Sequence, residues 1–77
     1  MAQNEMILEH LLKGWSITPL EALNSYGIFR LGARIYDLRS RGIRIETENA
    51  KGSNGKHFAR YWMEPEEIER VKREVAA

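Results

Sequence analysis

A chain of 77 residues without cysteine has room for one small domain and no disulfide or thiolate metal site to hold it together. The net charge of +1 hides a strong asymmetry. Between Ile28 and Trp62 eight basic residues stand against three acids, a local +5, while the remainder carries −4, and such segregation makes a field that the total conceals. No apolar run approaches the roughly 20 residues that cross a bilayer, and "MAQNEMILEH" lacks the basic start and cleavage region of a signal peptide. The expected compartment is the cytoplasm, with no membrane partner.

The first predicted helix runs from about Asn4 to Lys13, with Ile7, Leu8, Leu11 and Leu12 as its apolar stripe and Gly14 as its stop. "WSI", residues 15–17, predicts a short extended piece. Thr18, Pro19 and Glu21 read as the N-cap, the first helical position and the acid of a capping box. This second helix ends near Tyr26, and Leu20, Leu23 and Ala22 are expected to face inward.

The third helix spans about Phe29 or Arg30 to Arg41 and is closed by Gly42. Leu31, Ile35 and Leu38 recur on one face. At 100° per residue, Arg30, Arg34, Asp37 and Arg41 fall along one flank and Gly32, Tyr36 and Arg39 along the other, with Ala33 and Ser40 opposite the core. "IRIETE", residues 43–48, alternates as a half-buried strand does. "AKGSNGK" is a turn containing the hairpin pair Asn54-Gly55, and "HFARYWM" is the return strand. Tyr61 and Met63 are expected to share the inner face with Ile43 and Ile45, leaving Phe58, Arg60 and Trp62 on the other. Pro65 opens a last helix to about residue 75, whose Glu66 and Glu67, then Lys72 and Arg73, match the helix dipole. Ile68, Val71 and Val75 give it a thin apolar stripe.

A helix pair joined at a glycine turn and followed by a hairpin predicts an α+β, mostly helical fold of winged helix-turn-helix type. One domain is expected over residues 1–77, with a three-helix core and hairpin wing over about 4–63 and a C-terminal helix over about 65–75. The stretches "SITPLEAL", "FRLGARIYDLRSRGIRIETE" and "NGKHFARYWM" resemble the small helix-turn-helix family common in bacteriophage and prophage genomes, over roughly Met6 to Met63. That resemblance implies a winged-helix fold and DNA binding, and says little about biological role.

The charged helix suits a polyanion. Arginine's planar fork makes two hydrogen bonds to a phosphate or to the O6 and N7 of guanine. The N-terminal end of a recognition helix points deepest into the major groove. Arg30 and Arg34 are therefore the expected base readers and Arg41 a phosphate contact, with Tyr36 on the other flank a further candidate DNA contact and Asp37 bracing Arg34 or Arg41. Lys51, Asn54 and Lys56 at the hairpin tip, with Arg60 on its strand, would lie along phosphates. Ser16, Thr18 and the free N–H groups of the second helix would hold one more. Arg39 has a quieter alternative, contact with carbonyls or with Glu46 near the helix end.

Chemistry of other kinds finds little support. "GSNGK" is too short for a nucleotide-binding loop, and His57 stands where the hydroxyl residue belongs. His10 and His57 lack metal-ligand spacing and read as surface residues. Glu46 and Glu48 read as solvated carboxylates. Most aromatics, Trp15, Tyr36, Phe58 and Tyr61 among them, read as packing around a small core. No catalytic grouping, metal site or cofactor is expected. The primary expectation is a double-stranded DNA-binding protein, sequence-specific or architectural, such as a phage-encoded transcriptional or recombination accessory factor. Helix 30–41 would enter the major groove and hairpin 43–63 would act as the wing. The alternative is a winged-helix scaffold that contacts a host or phage protein. Trp62, Ile68, Val71 and Val75 are then the candidate interface, and they would equally serve a homodimer.

Overall fold

Three short helices, a hairpin and a fourth helix follow one another in the computed structural model, which describes residues 2–76. They are α1 (Gln3–Leu12), α2 (Pro19–Tyr26), α3 (Leu31–Ser40), β1 (Glu46–Lys51), β2 (His57–Trp62) and α4 (Pro65–Ala76). The core lies where α1 and α3 pack together. Ile7 and Leu11 from α1 meet Leu31, Ile35 and Leu38 from α3, and all five are fully buried.

The start of α2 follows from its sequence. Thr18 Oγ1 accepts from the Glu21 N–H at 3.2 Å, and Glu21 Oε1 accepts from the Thr18 N–H at 3.0 Å, so two orphan donors of the first turn are satisfied reciprocally. Gly27 closes the helix at φ +66°, a left-handed conformation that a side chain would strain. Thr18→Ala removes the cap and is expected to cost about 1 kcal/mol, lowering Tm by about 4–8 °C in thermal unfolding followed by circular dichroism.

The inward face of α2 differs from the expectation. Only Ala22 is buried, while Leu20 is 66% and Leu23 37% exposed. The space beneath this helix is filled from its two ends instead, by the fully buried Ile17 and Ile28, which lets the backbone sit close over a small side chain.

The first strand of the hairpin is shifted three residues along the chain, while the return strand starts at His57 as expected. β1 begins at Glu46 rather than Ile43, and Ile43 and Ile45 enter the core before the ladder starts. The turn explains this. Gly52 and Lys56 close it with the Gly52 N–H on the Lys56 carbonyl at 2.8 Å, and Lys51 pairs with His57. Counting back from there, Trp62 meets Glu46, and Met63 leaves the ladder for the core. The face assignment holds: Tyr61 packs on the core, while Phe58, Arg60 and Trp62 oppose Ala50, Glu48 and Glu46. "WSI" contributes a single bridge, Ile17 to Tyr61, whose two N–H···O bonds of 2.8 and 2.9 Å tie the start of α2 to the wing.

Helix α4 lies against this assembly through Val71, which is buried, and Ile68, which packs against the core. Val75, expected on the same stripe, is 76% exposed. No helix among the described residues is long and apolar enough to cross a membrane.

Candidate nucleic-acid interface

Burial of Leu31, Ile35 and Leu38 fixes the rotation of α3, and its two flanks are then used differently. The flank carrying Arg34, Asp37 and Arg41 faces α1. Arg34 Nη2 pairs with Asp37 Oδ2 at 3.2 Å, and its Nη1 donates to Gln3 Oε1 at 3.2 Å. Asn4 Nδ2 donates to the same carboxylate oxygen of Asp37 at 3.3 Å. Arg41 pairs with Glu5 at 2.8 Å. The expected brace of Arg34 by Asp37 is present, and it draws the guanidinium toward α1 rather than out along the helix. Arg34 Nε is buried without a partner, so this polar seam is incompletely satisfied.

The opposite flank faces the wing. Arg39 donates from Nε and Nη2 to the Ile45 carbonyl and from Nη2 to Thr47 Oγ1 at 2.7 Å. Its guanidinium lies 5.9 Å from the centre of the Tyr61 ring, within range of a cation–π contact. Of the two quieter roles considered for Arg39, the carbonyl contact is the one present, and Glu46 takes no part in these bonds. A planar fork is needed to hold carbonyl and hydroxyl together, so Arg39 sets the angle between α3 and the hairpin. Arg39→Lys keeps the charge and loses the fork. Faster hydrogen exchange at the Ile45–Thr47 amides is the expected result, with at most a slight change in Tm.

A second clamp holds the turn between α3 and β1. Glu67 Oε2 accepts from the Arg44 N–H at 2.7 Å and from Arg70 Nη2 at 2.7 Å, while Oε1 accepts from Arg70 Nε at 2.8 Å. Arg70 Nη2 also donates to the Gly42 carbonyl at 3.1 Å. The bonds from Arg70, then from the Arg44 backbone, hold the Glu67 carboxyl at a pKa of about 2, against the partial opposition of burial. Arg70 is raised above its ordinary value, chiefly by its bonds to Glu67. Sequence reading took Glu67 only as a dipole partner. Its spacing of three from Arg70 was the available signal, but its contact with Arg44, 23 residues away, required the fold.

Between the two flanks, α3 presents an open side. Gly32 and Ser40 are exposed, Ala33 is half-buried and Tyr36 is 72% exposed, and Phe29, just ahead of the helix, is 83% exposed. Arg30 is the N-cap residue, exposed and free of any ion pair among the described residues. At the wing tip Lys51 and Lys56 are exposed and likewise unpaired, and Asn54 Oδ1 is occupied by the Lys56 N–H at 3.0 Å. Arg60 pairs with the directly opposed Glu48 at 3.0 Å.

The remaining sequence-selected residues are placed as follows. Thr18 is 8% exposed and its hydroxyl serves the cap. The Ser16 carbonyl bonds His10 Nε2 at 2.8 Å, and His10 Nδ1 bonds the Tyr26 hydroxyl at 2.7 Å. His10 is therefore a half-buried linker between α1 and α2 rather than a surface residue. Trp62 is half-buried and donates from Nε1 to Glu64 at 3.0 Å. Trp15, expected in the core, is 53% exposed, with the Lys13 ammonium 4.9 Å from its ring centre. No group of three metal-ligating side chains occurs among the described residues.

A two-helix unit closed on a third helix, with a hairpin beside its last member, is the winged helix-turn-helix arrangement. The family model described as "Winged helix-turn-helix domain" matches residues 2–66, and the chain belongs to that family. The match takes in α1 to β2 and ends at the first turn of α4. No curated protein and no solved structure matches the chain.

Proposed function

We propose that this protein binds double-stranded DNA, with α3 in the major groove and the β1–β2 hairpin along the adjacent backbone. One observation carries the reading. The outward side of α3 bears no acid, and the cations nearest its start and at the wing tip, Arg30, Lys51 and Lys56, have no carboxylate partner among the described residues. Membership of the winged helix-turn-helix family supports it, since these folds generally serve DNA binding.

Each contact has a physical role. Arg30, exposed beside the first turn of α3, reaches base edges or phosphate at the deep end of the helix. Lys51 and Lys56 act as mobile point charges on phosphates, with Asn54 shaping the turn that carries them. Arg34, Arg41 and Arg60 are paired in the free protein, but their ion pairs are solvent-accessible. Such pairs are worth about 0–1 kcal/mol, so a phosphate can replace the carboxylate at small cost. Thr18 is committed to the capping box through both its hydroxyl and its N–H, which leaves Ser16 as the phosphate contact at the start of α2. The resemblance of residues 6–63 to phage and prophage domains supports a phage-type origin for this DNA-binding role.

Neutralising four to six phosphates gives a slope of log affinity against log salt of about −4 to −5. Fluorescence anisotropy with labelled duplexes across a salt series measures it. Lys51→Ala is expected to flatten the slope by about one unit while weakening all sequences alike. Absence of binding at low salt overturns the proposal.

One feature favours the second use of the fold, docking of a protein. Exposed Leu20 stands with Pro19, Thr18 and Phe58 around a shallow apolar hollow between α2 and β2. The α4 stripe is less suited to it, because Val71 and Ile68 already pack within the chain. Leu20→Ser leaves duplex affinity unchanged if the first use holds.

A further inference from the structure

We infer that the open side of α3 reads thymine methyl groups, so that this protein selects thymine-bearing major-groove edges by apolar contact. The inference rests on the DNA-binding reading above and goes beyond it to what is recognised.

The open side of α3 is formed by exposed Gly32 and Tyr36 with half-buried Ala33, not by the arginines. These three fall within about a 100° arc of the helix, and Phe29 precedes them at 83% exposure. A phenylalanine left almost wholly in water directly ahead of α3, and a tyrosine left 72% exposed within it, gain nothing from the fold. Gly32 is equally unexplained by folding. A Cβ built there meets nothing within 4 Å, and its φ is not in the left-handed region. Alanine would fit and would suit the helix better. What glycine supplies is a low spot beside Tyr36, four residues further along the helix, through which a flat surface can approach the backbone closely. Cations stand at the margins, Arg30 at the start and Arg39 toward the wing, and the only acid of the helix, Asp37, is turned to Arg34. An apolar, low-lying centre with a cationic rim is complementary to a groove floor with phosphate walls. In the major groove, the apolar mark on a base edge is the thymine C5-methyl, which phenylalanine and alanine side chains contact.

Deoxyuridine removes that methyl and leaves the hydrogen-bonding pattern intact. The test selects duplexes from a random pool with the full chain, then resynthesises the best of them with deoxyuridine in place of thymine. Wild-type protein is expected to bind the thymine form more tightly, by about fourfold for each contacted methyl, with the same salt slope for both forms. In Phe29→Ala the thymine preference falls toward one. Gly32→Ala raises Tm yet weakens binding to the selected duplex about 3–10-fold, because the added methyl group holds the groove floor away. Equal affinity for the two forms, with salt-dependent binding retained, overturns the methyl-reading inference and leaves DNA binding standing. A thymine preference that survives unchanged in Phe29→Ala and Gly32→Ala overturns its assignment to this face. Failure to select any duplex, or capture through Phe29 of a second copy of the chain instead, overturns both.

Discussion

Changing Arg30, Lys51 and Lys56 together to alanine is expected to reduce duplex affinity by about 500-fold at 0.1 M salt and to flatten the salt slope by about 2.7 units. The magnitude follows from counterion release, in which each phosphate neutralised contributes about 0.9 to the slope and roughly an eightfold gain at that salt. These three cations are chosen because they have no internal partner among the described residues, so their removal leaves no orphaned carboxylate. The fold should be untouched, with Tm within about 2 °C of wild type, because Arg30, although it is the N-cap residue of α3, makes no side-chain cap bond and the two lysines are exposed at the wing tip. Arg73→Ala is the matched control. Arg73 pairs with Glu69 at 3.0 Å within α4, outside the interface, and its loss should leave the slope as it was. A triple variant that binds with unchanged slope would place the phosphate contacts elsewhere on the molecule.

Glu67→Ala is expected to be the most damaging single polar substitution. It leaves the Arg44 N–H without its acceptor and Arg70 without the carboxylate that orients it on Gly42. Because Arg70 is partly exposed and can be rehydrated, the loss is about 2 kcal/mol rather than the larger figure for a fully buried pair. For a chain of this size that lowers Tm by about 8–16 °C. Glu67→Gln keeps an acceptor for Arg44 and should lose about half as much. The pH dependence has a definite sign. The Glu67 carboxyl is held at about 2, below its ordinary value of 4.5, so the folded state favours the ionised form. Its contribution is complete above about pH 4.5 and is lost as the pH falls through 2. Urea titrations of wild type and Glu67→Gln between pH 6 and pH 2 should therefore converge toward the acid end. A constant difference across that range would assign the loss to packing rather than to charge.

The consequence of this clamp is geometric. Arg39 fixes the hairpin to the end of α3, while Glu67 and Arg70 fix the turn between them. α4 thus stabilises the angle between α3, the proposed reading helix, and the wing, although it lies almost wholly beyond the residues matched by the family model.

What could be read from the sequence was what depends on neighbours in the chain. The capping box at Thr18 and Glu21, the glycine stops at Gly14 and Gly42 and the face Leu31–Ile35–Leu38 are all set within a few residues, and each appears as expected. What could not be read depends on partners far away. The alternation of Ile43 and Ile45 is real, but alternation marks a buried side, not a paired strand. Pairing begins only where the turn at Gly52–Lys56 brings β2 opposite. Leu20 and Leu23 predict an inward face because they are apolar, but Ile17 and Ile28, outside the helix, fill that space. At the site, charge counting located the basic stretch. It could not separate arginines turned to α1, such as Arg34 and Arg41, from those left open, such as Arg30.

Backbone amide chemical shifts of the labelled protein, followed as a short duplex is added, report directly which surface meets DNA. The changes are expected to gather at residues 29–41 and at the hairpin tip, 51–57, and to fade together as salt is raised. Shifts confined to α4 or to the outer side of α2, or a spectrum that does not change, would contradict the account.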